Sequence, residues 1–266
     1  MTLLADVVST STLVSATSSR SGKVAILAEL LRRVERAEVA ICVGFLSGVP
    51  RQGRVGVGYS TVYGIERRPA GEPSLTIDEV DRAISEIQCA VGSGSATRRR
   101  ALLGELLGRA TGKETEFLRR LFTGELRQGA LAGLMADAVA QAAGVSGELA
   151  RRALMLSGDL TRTAEIAMTS GEQGLREVGF EIFRPVLPML AATGTSVAEA
   201  LAGFECASVE WKLDGIRIQV HSRGGVVRIY TRNLNEITAA LPGIVEAVLG
   251  LPVRQAVFDG GAVDGR

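Results

Sequence analysis

Two prolines within four residues, Pro185 and Pro188 in Phe183-Arg184-Pro185-Val186-Leu187-Pro188-Met189, stop any helix from running through this stretch. Proline lacks an amide donor, its ring clashes with the preceding turn, and the residue before it is pushed into extended backbone. The apolar pattern changes across the interruption. Upstream, Lys23 to Val34 sets Val24, Leu27, Leu31 and Val34 on one face. Thr76-Ile77-Asp78-Glu79 has the form of a capping box, opening a helix with Val80, Ile84, Ile87 and Val91 at three-to-four spacing. Gly92-Ser93-Gly94-Ser95 breaks the chain before Arg98-Arg99-Arg100 begins a leucine-rich helix. Further helices are expected over about 114–122, 131–143 and 148–156, punctuated by Gly124, Gly129, Gly144 and Gly158.

Downstream, Ala207–Lys212 and Ile216–His221 alternate as strands do. Ser222-Arg223-Gly224-Gly225 supplies a turn into Val226–Thr231, Asn233 to Leu249 reads as one helix bent near Pro242, and Val253–Asp259 returns to strand. The expected fold class is therefore α+β: an all-helical domain over 1–182, a crossing segment over 183–200, and an antiparallel sheet domain over 201–266.

A composition of 46% hydrophobic and 22% charged residues is that of a globular chain, not a disordered one. Cys42, Cys89 and Cys206 are widely spaced with no CxxC pair, which fits reduced thiols in a cytoplasmic protein and argues against structural zinc. The longest apolar run, Val39 to Phe45, is far short of the roughly 20 residues that span a bilayer. Asp6 and the lack of a basic leader argue against a signal peptide. Net charge is only +1. Nucleic-acid binding would thus rest on placed arginines and helix N-termini rather than on a large overall field.

Of thirty basic residues only Lys23, Lys113 and Lys212 are lysine. Arginine holds charge or phosphate at least as well, but with a pKa above about 12 it cannot shed a proton and attack. Lys212 lies in Glu210-Trp211-Lys212-Leu213-Asp214-Gly215-Ile216-Arg217, where a retained lysine points to a nucleophile. Extended geometry turns Glu210 and Lys212 the same way. Across the expected hairpin Arg228, Tyr230 and Arg232 share a face, opposite Val227 and Ile229. One polar surface would collect an amine, two carboxylates and two or three arginines, a setting for a phosphate-bearing substrate. A free lysine has a pKa near 10.4; desolvation, neighbouring arginines and a divalent cation all favour its neutral form. As an isolated tetrapeptide, Lys-x-Asp-Gly is more often the solvated edge of a hairpin, and low lysine content also follows from base composition. His221, the only histidine, reads as a hairpin-end residue, and Arg98-Arg99-Arg100 as a solvated helix start.

In order along the chain, Glu-x-Lys-x-Asp-Gly-x-Arg, Tyr230-Thr231-Arg232-Asn233 and Phe258-Asp259-Gly260 resemble the covalent nucleotidyltransferases, and more narrowly the ATP-dependent DNA ligases of the actinobacterial type. Thr123-Gly124-Glu125-Leu126-Arg127-Gln128-Gly129-Ala130 resembles that family's helical DNA-binding domain, and Arg184-Pro185 to Ala191 its lead into the adenylation domain. The resemblance implies that Lys212 is adenylated by ATP, with AMP passed to the 5′-phosphate of a nick in duplex DNA and displaced by the 3′-hydroxyl. It implies that Glu210 faces adenine, that Asp214 orients the lysine, nucleotide or metal, and that Arg217 and Arg232 hold ribose and phosphate. Mg²⁺ would offset charge on pyrophosphate. Arg127 and Gln128, between two glycines, would grip DNA phosphates; as residues alone they are equally an exposed helix–helix turn. A monomer serving replication, repair and recombination is implied.

Two departures from the family qualify this. The family's Phe-Asp-Gly-Glu, whose glutamate binds ribose, is here Phe258-Asp259-Gly260-Gly261. Losing a charged hydrogen bond costs about 1.5–3 kcal/mol, roughly ten- to a hundredfold in nucleotide handling. The sequence also stops at Arg266, without the family's later adenylation motifs or OB-fold. The expectation is a truncated ligase, incomplete within the adenylation domain and severely impaired alone. Alternatives are a non-catalytic nicked-DNA-binding remnant and another lysine nucleotidyltransferase of RNA-ligase or capping type.

Overall fold

The computed structural model describes residues 1–53, 55–126, 132–189, 194–209 and 214–263, in two compact units. Unit 1 holds Met1–Leu154 and Asp159–Val178; unit 2 holds Met155–Gly158 and Gly179–Arg266.

Unit 1 is all helical: α1 (Leu4–Ala16), α2 (Arg20–Arg33), α3 (Val39–Ser47), α4 (Tyr59–Tyr63), α5 (Ile77–Cys89), α6 (Ser95–Arg109), α7 (Gly112–Thr123), α8 (Ala132–Ala143), α9 (Gly147–Ser157) and α10 (Leu160–Glu177). The apolar run at 39–45 is α3, with Val39, Ile41, Cys42, Val43, Phe45 and Leu46 all buried. A helix apolar on every side has no solvent face to show, and here α10 packs on α3 and α8, while α2 packs on α8. Burial pushes the Cys42 thiol up to about 12, which makes it an inert core residue.

Both bonds of the Thr76 capping box are present, Glu79 N–H to Thr76 Oγ1 at 3.2 Å and Thr76 N–H to Glu79 Oε2 at 2.9 Å. That amide and the Arg109 guanidinium hold the Glu79 carboxyl down at about 2. Thr111 and Glu114 form a second such box at the start of α7. Two expectations need correcting. Val91 lies beyond the end of α5 and is 78% exposed, since the helix stops at Cys89 ahead of the glycine-serine break. Arg99 and Arg100 are not merely solvated: they donate to the Gly56 and Gly64 carbonyls at 3.0 and 2.8 Å, tying α6 to the loop around α4.

Unit 2 contains α11 (Val197–Leu201), β1 (Ile216–Arg223), β2 (Val226–Thr231), α12 (Pro242–Leu249) and β3 (Gln255–Ala262). The strands form one antiparallel sheet in the order β2-β1-β3. Arg223 pairs with Val226 across Gly224 and Gly225, whose φ values of +58° and +79° suit a two-residue primed turn that only glycine enters freely. Ile218, Val220, Val227 and Ile229 pack on Val248 of α12, backed by Ile244 and Val245. α+β class thus holds, helices first and an antiparallel sheet after.

The expected helix over 233–249 is shorter. After β2 the chain doubles back, Ile237 N–H donating to Ile229 O at 2.8 Å and Thr231 N–H to Asn235 O at 2.9 Å. These edge bonds outcompete a helix, which begins only at Pro242, where the missing amide costs nothing. Ala207–Val209, expected as strand, is irregular and exposed, and Glu210–Leu213 lie outside the described residues.

Candidate active site

Directly paired residues of a sheet share a face. The register pairs Arg217 with Gly261, Gln219 with Asp259 and Tyr230, and His221 with Val257 and Arg228, which places all of these on the side away from α12. This is the polar surface expected from alternation, but it is divided into two parts.

At the hairpin end it is sealed by residues 183–186. Phe183 N–H donates to His221 Nδ1 at 3.0 Å, and Phe183 O accepts from the Tyr230 hydroxyl at 2.8 Å. Gln219 does the same for Val186, its Oε1 accepting the amide at 3.1 Å and its Nε2 donating to the carbonyl at 2.5 Å. Gln219, His221 and Tyr230 are consequently buried, and His221 is not a hairpin-end residue but a core one. These four bonds hold Phe183 at φ +70°, a left-handed conformation that a bulky residue rarely adopts. With Nδ1 accepting, the proton of neutral His221 sits on Nε2, which is buried without a partner among the described residues. Burial lowers the pKa of this imidazole.

The other end is open and holds the charged groups. Arg217 grips Asp259 in a fork, Nε to Oδ1 at 3.0 Å and Nη2 to Oδ2 at 2.6 Å, both side chains about half exposed. Asp259 raises the arginine's pKa, and the guanidinium holds the Asp259 carboxyl below its ordinary value. Arg232 is exposed just past β2; like Arg217 it lies one residue beyond the Ile218–Thr231 pair. Asp214 is exposed, three residues ahead of Arg217. Gly261 faces Arg217 in register, with no atom within 4 Å of where a Cβ would sit. Gly215 stands at a bend just ahead of β1 and also permits close approach, since a Cβ there would lie 2.4 Å from the Ala262 carbonyl oxygen. Gly215 thus lets the start of β1 lie close against the end of β3.

Of the expected site residues, the fold gathers Asp214, Arg217 and Arg232 at one end of the sheet. Glu210, Lys212, Arg127 and Gln128 lie outside the described residues. Alternation placed Gln219, His221 and Tyr230 on the correct face but gave no sign that backbone would cover them. Asp259 was legible as part of Phe258-Asp259-Gly260; its fork with Arg217 needed the register. Arg228 is committed elsewhere, to Glu236 at 2.8 Å. Among the described residues no three His, Cys, Asp or Glu side chains are placed to hold a metal ion. Nor is any described helix long and apolar enough to cross a membrane.

A helical domain followed in sequence by a Lys-x-Asp-Gly segment and a sheet whose open end gathers arginines and carboxylates defines a class, and two family models match it. Residues 60–140 match the DNA ligase N terminus and residues 188–263 the ATP dependent DNA ligase domain. The chain belongs to the ATP-dependent DNA ligase family. It is 52% identical over 260 residues to a probable DNA ligase of Saccharopolyspora erythraea, covering 98% of this chain and 51% of that protein. A probable DNA ligase of Rhodococcus opacus is 51% identical over 261 residues, and one of Pseudarthrobacter chlorophenolicus 49% over 258, each covering 97% of this chain and 52% and 51% of those proteins. The chain spans about half the length of the curated relatives it matches.

Proposed function

We propose that this chain carries the nucleotide-accepting half of an ATP-dependent DNA ligase, with Lys212 as the nucleophile that takes AMP. The supporting observation is the division of the sheet's polar face. Its hairpin end is closed by residues 183–186, so a nucleotide is confined to the end that Lys212 adjoins in sequence, where Asp214, Arg217, Arg232 and Asp259 gather. The fork to Asp259 fixes the Arg217 guanidinium on this face of the sheet, where it can meet a ribose oxygen or a phosphate.

In the proposed step, neutral Lys212 Nζ attacks the α-phosphorus of ATP. The N–P bond forms as the bond to the bridging oxygen breaks, pyrophosphate leaves with that electron pair, and Nζ loses its remaining extra proton to water. AMP then passes to a 5′-phosphate, and a 3′-hydroxyl displaces it to seal the nick. Glu210 contacts the adenine, and Arg127 and Gln128 bind DNA phosphates. The described side chains do not by themselves form a Mg²⁺ site; Mg²⁺ would come with the triphosphate, whose charge it offsets.

Gly261 leaves the position opposite Arg217 without an acceptor, so adenylation by this chain is slow. The test is incubation with ATP labelled at the α-phosphate, followed by denaturing electrophoresis. A faint, acid-labile label on the protein, lost in Lys212→Ala, is expected. Label that persists undiminished in Lys212→Ala would remove Lys212 as the nucleophile. Gly261 also favours a second reading, in which the chain binds nicked DNA without turnover; salt-sensitive binding with no label at any time would support it.

A further inference from the structure

The loop carrying α4, residues 55–68, is held by four arginines that form no ion pair among the described residues. Arg99 donates to Gly56 O at 3.0 Å, Arg100 to Gly64 O at 2.8 Å, Arg119 to Ile65 O at 2.9 Å and Arg67 to Gly104 O at 3.3 Å. All four spend donors on backbone carbonyls, and among the described residues none forms an ion pair. The unit's Arg20, Arg51, Arg82, Arg109 and Arg151 each pair with a carboxylate. A carbonyl orients a guanidinium without neutralising it, so this loop concentrates positive charge in a chain whose net charge is only +1.

The same loop displays stacked aromatics. The rings of Tyr59 and Tyr63 lie 4.4 Å apart at 28°, and the Arg119 guanidinium stands 5.5 Å from the centre of the Tyr63 ring. Tyr63 is half-buried, whereas Tyr59 is 61% exposed. Glu125, the acid that touches the pair, accepts from the Tyr63 hydroxyl at 3.4 Å and from Thr123 Oγ1 at 3.2 Å, and does not reach the arginines. An open aromatic ring stacked on a second ring, in a loop whose carbonyls orient several guanidiniums, is a combination suited to single-stranded nucleic acid: bases stack on the ring and phosphates follow the cations.

We propose that Tyr59 is a stacking platform for an unpaired base, with Arg99, Arg100 and Arg119 flanking it for the adjoining phosphates, giving this chain a single-strand subsite at a gap or frayed end. The subsite rests on the ligase reading only for its kind of partner. The test is fluorescence anisotropy of the full chain with a short oligothymidylate and, separately, with a fully paired nicked duplex. Tyr59→Ala should weaken oligothymidylate binding about five- to 150-fold and leave the paired duplex unchanged, while Tyr59→Phe keeps the affinity. A 2-aminopurine base in the oligonucleotide should be quenched by the native chain and by Tyr59→Phe but not by Tyr59→Ala. No binding of oligothymidylate, unchanged binding in Tyr59→Ala, or equally tight binding of polyglutamate would overturn the proposal, the last by revealing a bare anion patch. Failure on the paired nicked duplex alone would instead count against the ligase reading.

Discussion

Replacing Gly261 by glutamate tests whether the open end of the sheet is the nucleotide end. Backbone strain is no obstacle, because Gly261 sits within β3 with no left-handed φ, and no heavy atom lies within 4 Å of the new Cβ. Filling a strand glycine should itself stabilise by about 0.5–1 kcal/mol. The side chain emerges opposite Arg217 in register, so its carboxylate meets the guanidinium now held by Asp259. Repulsion between the two carboxylates offsets part of that gain, and the net change in stability should stay within about 1 kcal/mol. A ribose hydroxyl bonded to the new carboxylate contributes about 1.5–3 kcal/mol, or roughly ten- to over a hundredfold in affinity. The assay is the rate of protein labelling by α-labelled ATP across nucleotide concentration, in Gly261→Glu and in Gly261→Glu/Arg217→Ala. Half-saturation at an ATP concentration at least about tenfold lower is expected, with much of the gain lost in the double variant. If Gly261→Glu folds with native circular dichroism yet labels no better, the nucleotide does not lie beside Gly261 and Arg217, and the placement above is wrong.

Two other predictions concern stability. Gly215→Ala drives a methyl to 2.4 Å from the Ala262 carbonyl, so β1 and β3 must separate there; a loss of about 1–3 kcal/mol is expected in urea unfolding, whereas Gly243→Ala, with nothing within 4 Å, should not destabilise. Burial lowers the His221 pKa from 6.5, so the folded state binds fewer protons than the unfolded state. The stability of unit 2 should then be complete above about pH 6.5 and fall as pH drops below it, by up to about 1.4 kcal/mol per unit, until His221 protonates in the folded state too. Urea unfolding followed by circular dichroism at a series of pH values measures this dependence; a slope that survives unchanged in His221→Gln would assign it to other groups.

How much of this was legible in sequence depended on what each residue faces. Amphipathic helices such as α2 and α5 declared themselves because one side meets water and the other does not. α3 gave no period, since every side is buried, and its run of apolar residues served only to exclude a membrane span. The 233–249 stretch misled because Ile237, Leu241, Ile244 and Val248 keep helical spacing while packing on one core; the edge of β2 claimed the first part. Arg99, Arg100 and His221 were misread for one reason. Their partners are backbone groups more than 35 residues away in sequence, and a carbonyl or amide leaves no mark in the alphabet of side chains.

The same physics bears on the polyanionic substrate proposed for this nearly neutral chain. Charge is not spread over the surface; it is sorted by what each guanidinium touches. Arginines forked to carboxylates, as Arg51 is to buried Asp81 at 2.7 and 2.5 Å, are structural and electrostatically quiet. Those held by carbonyls keep their charge and lose only their freedom, which lowers the entropy cost of meeting a phosphate. Arg217 lies between these cases, exposed enough to exchange Asp259 for a ligand yet already oriented. Asp259→Asn separates the two roles. The fork loses its charge but retains one acceptor, so Arg217 should hold phosphate more tightly while the ribose-side orientation degrades. Labelling should then saturate at lower ATP but with a lower maximal rate, and a simple parallel loss of both would mean that Asp259 itself touches the nucleotide.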